Sequence, residues 1–377
     1  MSICAGQARL IIAASETAAD LYYASGFLAP DAFIYLETEG RKALLMSDLE
    51  LDRARSEAAV DEVLPLSQYQ ETAKLAGTEN PSSLDALDVL LKERDIRDIS
   101  VPRSFPIEAA DFLRARNYRV TWSSGSFFPE RERKTDLEIA RIREVQRHTE
   151  AAMDAAVDVM RSANVRDGVL HHDGEALTSE RVRSIIARTL MDRSCTARHT
   201  IVACGDQACD PHNHGTGPLR AGLPVVIDIF PRSDETGYYA DMTRTVVKGE
   251  ASSDLVDIYD AVLAAQIQAL NQICAGVDGR DIHRGVSELF DSRGFSTGLQ
   301  DGRMQGFFHG TGHGVGLDIH ESPGVGKASS MLEPGHVVSV EPGLYYIGCG
   351  AVRIEDLVVV TETGCDNLTD YPKSLIL

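Results

Sequence analysis

The chain has no excess of positive charge and no paired cysteine motif. Lysine and arginine together number 37 against 57 aspartates and glutamates, so the formal net charge is −20. Because nucleic-acid binders neutralise phosphates with basic patches, this balance argues against a nucleic-acid partner. The seven cysteines are odd in number and include no C-x-x-C pair. Such scattered cysteines favour a reducing compartment over a disulfide framework.

The sequence also lacks the features of a signal peptide or a membrane span. The short apolar stretch at residues 10–14 has no basic segment before it and is followed at once by Ser15, Glu16 and Thr17. A transmembrane helix needs about 20 predominantly apolar residues in succession. We therefore expect a cytoplasmic protein with no membrane partner.

The length of 377 residues allows two domains, each with its own core. Over residues 1–126, short apolar runs alternate with helical patterns, which predicts a smaller α/β domain without a metal or nucleophile cluster. A serine- and glycine-rich boundary at residues 123–126 leads to a second domain over residues 127–377. Its pattern is α+β, with strands between helices predicted from a capping box at Thr135 and Glu138 to about residue 161, and over residues 179–191 and 254–273.

Four carboxylates of the second domain lie in apolar runs, where a charged side chain is unexpected. Asp228 and Glu341 each follow a run of β-branched residues, whereas Asp241 and Glu355 each precede one. Burying a carboxylate is costly unless it is paired or binds a metal. A turn-rich segment separates the members of each pair, so two hairpins would return the second acid beside the first. Four carboxylates converging with the imidazole of His313 would repel each other without a cation, and a pair of divalent ions is the simplest resolution.

The donor types indicate which ions would bind. Carboxylate oxygens with one imidazole suit Mn²⁺, Co²⁺ or Zn²⁺ better than an ion that selects thiolates. Two such ions, ~3.5–4 Å apart, generate hydroxide at neutral pH and stabilise a developing oxyanion. Taken alone, each acid could equally be a surface hairpin residue or a strand-end ion pair. The combination of all five residues predicts a metalloenzyme.

The histidines of residues 309–321 do not form a zincin motif. His309 and His313 stand four apart, but a zincin needs a helix and a glutamate directly after its first histidine. Gly310 occupies that position, and the glycines between residues 310 and 316 disfavour a helix. The glycines do not form a phosphate-binding loop either, because no G-x-x-x-x-G-K-[ST] is present.

Five runs follow one another in residues 200–365: Val-Ile-Asp228, Ala-Asp241-Met-Thr-Arg-Thr, His309-Gly-Thr-Gly-His313-Gly-Val-Gly-Leu-Asp-Ile-His320-Glu, Ser-Val-Glu341-Pro-Gly-Leu-Tyr and Val-Arg353-Ile-Glu355-Asp. Together they resemble the pita-bread metallopeptidases and, among these, the branch of aminopeptidase P and prolidase (Xaa-Pro dipeptidase). The resemblance implies a pita-bread catalytic domain over residues 127–377. Residues 1–126 resemble the creatinase-like N-terminal domain of this family in size and α/β character.

The resemblance implies a role for each of the five residues. Asp241 and Glu355 would bridge two divalent metal ions, for which Mn²⁺ is the leading candidate and Co²⁺ and Zn²⁺ are alternatives. Asp228 would complete one metal site, and His313 and Glu341 the other. Glu341 would also move a proton to the leaving nitrogen.

Other side chains are implied to face the substrate. His320 would stabilise the tetrahedral oxyanion or hold the scissile carbonyl. His212 would be a second substrate-facing histidine, with His214 as the competitor for that role. His309 would line the proline pocket. Arg353 would either contact the substrate or neutralise the carboxylate cluster.

The implied activity is hydrolysis of the bond between an N-terminal residue and proline in a small peptide, by a homodimeric dipeptidase or aminopeptidase. The alternatives are a creatinase-like amidinohydrolase or a non-catalytic binding protein on the same fold, which typically lack the full ligand set, and a methionine aminopeptidase. The thirteen positions from Asp228 to Asp241 exceed the usual spacing of the family, which predicts a longer turn.

Overall fold

The computed structural model describes residues 7–123 and 125–377. The chain divides into two compact units, of which the first ends at Pro129 and the second comprises Glu130–Leu377. The predicted boundary segment, residues 123–126, includes Ser124, which lies outside the described residues.

The first unit is built on a six-stranded sheet in the order β4-β3-β2-β1-β5-β6. Its strands are β1 (Ala8–Ala13), β2 (Phe33–Thr38), β3 (Arg41–Met46), β4 (Glu62–Pro65), β5 (Asp98–Val101) and β6 (Arg119–Trp122). Its helices are α1 (Ala19–Ser25), α2 (Leu51–Glu57), α3 (Leu66–Leu75), α4 (Ser83–Glu93) and α5 (Ile107–Ala115). Successive residues of β1, Leu10 and Ile11, pack into different apolar clusters, so both faces of the sheet are covered.

The helices of the second unit are α6 (Asp136–Ser162), α7 (Ser179–Met191), α8 (Ser253–Gln272) and α9 (Gly279–Ser292). The predicted capping box is confirmed, because the Thr135 hydroxyl accepts from the amide of Glu138 while the Glu138 carboxylate accepts from the amide of Thr135. Within the described part of the chain, no helix combines the length and the apolar character that crossing a membrane requires.

The strands of the second unit are short and mostly antiparallel. They are β7 (Asn164–Arg166), β8 (Val169–His172), β9 (Glu175–Ala176), β10 (Cys195–Thr196), β11 (Ile201–Cys204), β12 (Val225–Ile229), β13 (Arg232–Ser233), β14 (Met242–Val246), β15 (Gly298–Gln300), β16 (Arg303–Gln305), β17 (Gly312–Gly314), β18 (Glu321–Val325), β19 (Val337–Val340), β20 (Gly343–Tyr346), β21 (Gly350–Arg353), β22 (Asp356–Val360) and β23 (Cys365–Asn367). Short 3₁₀ turns occur at Pro129–Glu132 and Gly205–Cys209.

Two sheets of this unit position the predicted site. One is three-stranded, in the order β11-β12-β14, and the other is five-stranded, in the order β18-β17-β19-β22-β23. The amide of Glu355 donates to the carbonyl of Thr243 at 3.0 Å, which ties the two sheets together. Helices α8 and α9 share an apolar cluster with β19 and β22, in which Val262, Val286, Val340 and Val358 are fully buried.

Candidate metal centre

Strand register brings the four acids to adjacent strand ends. Strands β12 and β14 are antiparallel with Asp228 opposite Thr243. Asp241 lies directly before Met242, which forms the last pair with Ile229. Strands β19 and β22 are antiparallel with Val340 opposite Asp356, so Glu341 and Glu355 stand just beyond that pair. The antiparallel return predicted for each pair of acids is confirmed.

The side chains converge on one cavity. Ligand atoms of Asp241, His313 and Glu355 all lie within 4.8 Å of one another, so these residues could hold a metal ion. His313 Nε2 lies 3.2 Å from Glu341 Oε1 and 3.6 Å from Asp241 Oδ2. Asp228 lines the same cavity of about 770 Å³ as these four residues.

Three of the acids keep an oxygen without a donor. Asp228, Asp241 and Glu355 are 8%, 4% and 2% exposed. Among the described residues, no group hydrogen-bonds Asp228 Oδ1, Asp241 Oδ1 or Glu355 Oε1. A buried carboxylate oxygen without a partner is expensive, whereas a divalent cation satisfies several at once. The residues therefore fit bound divalent metal ions.

The electrostatics of the acids agree with this fit. Burial raises the pKa of Asp241 well above its ordinary value, and the charges of Glu355 and Asp228 raise it further. Burial likewise raises the pKa of Glu355, and the charges of Glu341 and Asp228 add to the effect. Like charges repel strongly where water is excluded, and a nearby cation reverses that effect.

His313 and Glu341 form a close pair of opposite charge. Burial opposes the charge on His313, but its hydrogen bond and attraction to Glu341 raise the pKa of His313 to about 9. Burial also opposes the charge on Glu341, yet the hydrogen bond from His313 lowers the pKa of Glu341 to about 2. A metal ion would replace the proton on His313 Nε2 and face the same carboxylate.

Hydroxyl groups orient the donors. The Thr243 hydroxyl donates to Glu355 Oε2 at 2.7 Å. The Ser339 hydroxyl accepts from the amide of His313 at 3.0 Å and donates to Glu341 Oε1 at 3.1 Å. His313 Nδ1 lies 3.1 Å from the Gly314 carbonyl, which favours the tautomer whose Nε2 faces the acids. The sequence interpretation missed Thr243 and Ser339, although both stand two positions from an acid in the same apolar runs.

Arg353 lies against Asp228. Its Nη2 donates to Asp228 Oδ2 at 2.5 Å, and its Nη1 donates to the Tyr345 hydroxyl at 3.1 Å. Arg353 also lines the cavity. The guanidinium therefore neutralises part of the carboxylate cluster, which is one of the two roles that the sequence left open.

The histidines predicted to face a substrate also line the cavity. His212, His214, His309 and His320 are all among its lining residues, so the choice between His212 and His214 stays open. The ring centroids of His313 and His320 are 4.3 Å apart. Burial, followed by the charge of His313, lowers the pKa of His320 and keeps its ring neutral near pH 7.

His309 is held by a buried tyrosine that the sequence interpretation missed. His309 Nδ1 lies 2.7 Å from the Gly310 carbonyl and its Nε2 lies 2.8 Å from the Tyr345 hydroxyl. Burial lowers the pKa of His309 and raises the pKa of Tyr345 to about 12. The tyrosine therefore donates to a neutral His309 ring. Apolar side chains of Phe230, Phe308 and Ile319 complete the cavity wall.

The long turn between Asp228 and Asp241 folds back on itself. Strand β13 pairs with β10, and Arg232 also bridges Tyr239. The amide of Ser233 donates to the Tyr238 carbonyl at 2.9 Å. The additional residues thus form a closed turn while β12 and β14 keep their register.

Three further histidines, His171, His172 and His283, lie outside the predicted site. His283 lies inside α9 rather than at its start, and its Nδ1 lies 3.0 Å from the Thr311 hydroxyl. His171 and His172 belong to strand β8 and are partly buried.

The sequence is similar to those of curated peptidases along part of its length. The uncharacterized peptidase YqhT of Bacillus subtilis is 38% identical over 179 residues, which is 47% of this chain and 48% of that protein. The probable dipeptidase PepE of Mycobacterium tuberculosis is 32% identical over 251 residues, which is 64% of this chain and 63% of that protein. The chain thus spans between about half and somewhat under two thirds of the curated relatives that it matches.

Solved structures match over nearly the whole chain. An Xaa-Pro dipeptidase from Bacillus anthracis is 26% identical with a TM-score of 0.82, covering 98% of this chain and 95% of that one. An X-Pro aminopeptidase from Thermotoga maritima is 25% identical with a TM-score of 0.81, covering 98% and 97%. The predicted α+β pita-bread fold is confirmed. The model of metallopeptidase family M24 matches residues 140–362, and the chain belongs to this family.

Proposed function

We propose that this protein is an exopeptidase that uses two divalent metal ions to hydrolyse the bond between an N-terminal residue and proline. The observation that carries the proposal is the set of three buried carboxylate oxygens without donors, on Asp228, Asp241 and Glu355. They lie beside His313 and Glu341 in a cavity of about 770 Å³, a volume typical of pockets that enclose small ligands. The likeness to an Xaa-Pro dipeptidase and an X-Pro aminopeptidase supports the choice of substrate.

The proposed ligand roles are those that the family resemblance implies. Asp241 and Glu355 would contact both ions, Asp228 one of them, and His313 with Glu341 the other. When bound, the ions would supply Lewis-acid polarisation of the scissile carbonyl and activation of the attacking water. Mn²⁺ is the proposed ion, with Co²⁺ and Zn²⁺ as alternatives, because the donors are carboxylate oxygens and one imidazole.

Protein side chains would bind the peptide and move the proton. Glu341 would carry a proton from the attacking water to the leaving nitrogen, since it borders the cavity beside His313. The neutral ring of His320 would donate a hydrogen bond to the oxygen that gains charge. His309, held by Tyr345, would line the proline pocket, and His212 or its competitor His214 would face the substrate. Arg353 would hold Asp228 in place.

The proposal extends to the organisation of the protein. Residues 1–126 would be a supporting domain and residues 127–377 the catalytic domain of a cytoplasmic homodimer. Size-exclusion chromatography with light scattering tests the dimer, because a monomer mass near the 41.0 kDa of one chain would contradict it.

The decisive experiment compares peptides and metals. After chelation, the purified protein should hydrolyse Xaa-Pro or Xaa-Pro-Xaa peptides only when Mn²⁺, Co²⁺ or Zn²⁺ is added back. A preference for Xaa-Pro indicates a dipeptidase, and cleavage of Xaa-Pro-Xaa an aminopeptidase. Turnover that survives chelation, or that prefers Met-Ala peptides, would contradict the proposal.

A single substitution tests the proton-transfer role. Glu341→Gln should lower kcat by at least about 100-fold, in line with the usual contribution of general acid–base groups. The control is Glu333→Gln, which changes an exposed acid in the same unit. Full activity of Glu341→Gln under saturating Mn²⁺ would exclude this role.

A further inference from the structure

The backbone ladder of the five-stranded sheet is interrupted where two of the proposed ligands stand. The β19–β22 pairing ends at Val340 and Asp356, and the β20–β21 pairing begins at Gly343 and Arg353. Glu341 and Glu355 lie between these two ladders. Their amides do not join the two strands, because that of Glu341 donates to Thr311 and that of Glu355 donates to Thr243. Between the two ladders the Ile354 amide makes one long backbone bond, 3.5 Å to the Pro342 carbonyl, so a further contact is needed to fix the distance between the two acids.

A glutamine on helix α8 makes that contact. Gln266 is fully buried, and its Nε2 donates to the Val340 carbonyl at 3.1 Å and to the Ile354 carbonyl at 3.3 Å. These carbonyls belong to the residues that directly precede Glu341 and Glu355. One side-chain NH₂ group thus donates one hydrogen bond to each of the two segments that lead into the acids.

The orientation of this amide is determined by its surroundings. Gln266 Oε1 has no hydrogen-bond partner among the described residues. A reversed amide would place that oxygen against two carbonyl oxygens, so the NH₂ group must face the strands. The neighbours of Gln266 on the same helix face, Val262 and Ala269, are fully buried in the apolar cluster. An apolar side chain would suit the helix but could not join the strands.

We infer that Gln266 is a positioning residue of the metal centre, which holds Glu341 and Glu355 at the separation that two divalent ions require. The inference rests on the proposed function, since it takes these acids as ligands. Gln266 does not line the cavity, so it acts through the backbone of the ligand residues rather than on the substrate. Groups that orient metal ligands typically contribute about 10- to 100-fold to metal affinity or activity.

The test measures metal binding without turnover. Gln266→Met keeps the length of the side chain and removes its donors. Co²⁺ is titrated into metal-free wild-type and variant protein by calorimetry and by visible absorption, because the ligand-field bands report coordination geometry. Leu255→Ala is the control for a loss of core packing, since Leu255 is buried at the start of the same helix, three turns from Gln266.

The expected result is Co²⁺ binding that is about 10- to 100-fold weaker in Gln266→Met, with altered absorption bands. Leu255→Ala should unfold at a lower temperature yet bind Co²⁺ as the wild type does. Wild-type affinity and spectrum in folded Gln266→Met would overturn the inference. If that variant does not fold, Gln266→Asn replaces it, because its shorter amide cannot reach both carbonyls, and wild-type binding there has the same meaning.

The outcome separates this inference from the proposed function. Wild-type protein that binds no Co²⁺ would refute the metal-dependent function itself. If the wild type binds Co²⁺ and cleaves Xaa-Pro peptides, and Gln266→Met binds Co²⁺ with the same affinity and spectrum, only the role of Gln266 is refuted. A fall in kcat with little change in KM would agree with misplaced ligands rather than a changed peptide pocket.

Discussion

Replacing Gly312 with alanine should disrupt the candidate metal centre through the strand beside it. Gly312 precedes His313 on β17, and a Cβ at this position would lie 2.7 Å from the carbonyl carbon of Ser339 and closer still to its oxygen. Ordinary contact begins at 3.4 Å, so β17 and β19 would have to separate by at least 0.7 Å. The bond from the His313 amide to the Ser339 hydroxyl, now 3.0 Å, would become too long.

The magnitude follows from the two effects together. Overpacking typically lowers the free energy of unfolding by about 1–3 kcal/mol. The lost bond from the His313 amide to the Ser339 hydroxyl is linked to the Glu341 carboxylate, and a hydrogen bond to a charged group contributes about 1.5–3 kcal/mol. We expect Gly312→Ala to unfold roughly 10 °C below the wild type. Because displacement of a catalytic group by about 1 Å can lower activity 100-fold, kcat/KM on an Xaa-Pro peptide should fall by at least that factor.

The control for this assay is a glycine at which an added Cβ would not clash with neighbouring atoms. Gly324 lies on β18 of the same sheet, and a Cβ there would have no neighbour within 4 Å. Gly324→Ala should therefore keep the melting temperature, the Mn²⁺ affinity and the activity of the wild type. Gly312→Ala with activity within about threefold of Gly324→Ala would refute the argument that close strand contact positions His313.

Three further predictions concern the same unit. Thr243→Val removes the donor to Glu355 Oε2 at 2.7 Å, so Co²⁺ affinity measured by calorimetry should fall about 10- to 100-fold, whereas Thr243→Ser should retain it. Chelation should lower the melting temperature by differential scanning fluorimetry, because bound ions stabilise only the folded state, and no shift after verified metal removal would contradict a buried metal centre. Burial lowers the pKa of His336 from 6.5 to about 4, so the unfolded chain binds more protons between these values and stability falls as pH decreases through that range. Denaturant titrations from pH 7.5 to 4.5 should show the wild type losing about 1–3 kcal/mol more than His336→Asn, and equal losses would exclude this contribution.

The sequence predicted the elements whose signals are local. Helix α7 begins and ends at the predicted residues, and α8 is displaced from its prediction by one residue at each end. The capping box at Thr135 and Glu138 was recognisable because its two bonds lie within one helical turn. The acids of the candidate metal centre were recognisable because each is a charge in or directly beside an apolar strand.

The parts that the sequence did not predict depend on distant contacts. No local sequence signal marks Gln266 within its helix, because its role depends on contacts with the distant carbonyls of Val340 and Ile354. Tyr345 and Thr243 likewise orient residues that are distant in sequence, His309 and Glu355. The partial burial of His171 and His172 also depends on the pairing of β8 with β7 and β9.

The joining of two sheets at Glu355 has a consequence for folding kinetics. Of the five donors, the three-stranded sheet carries Asp228 and adjoins Asp241, and the five-stranded sheet carries His313 and adjoins Glu341 and Glu355. Neither sheet alone assembles the five donors, and closing such long loops is slow. Metal capture should therefore follow the rate-limiting step of folding, so that added Mn²⁺ leaves the refolding rate unchanged and slows unfolding instead.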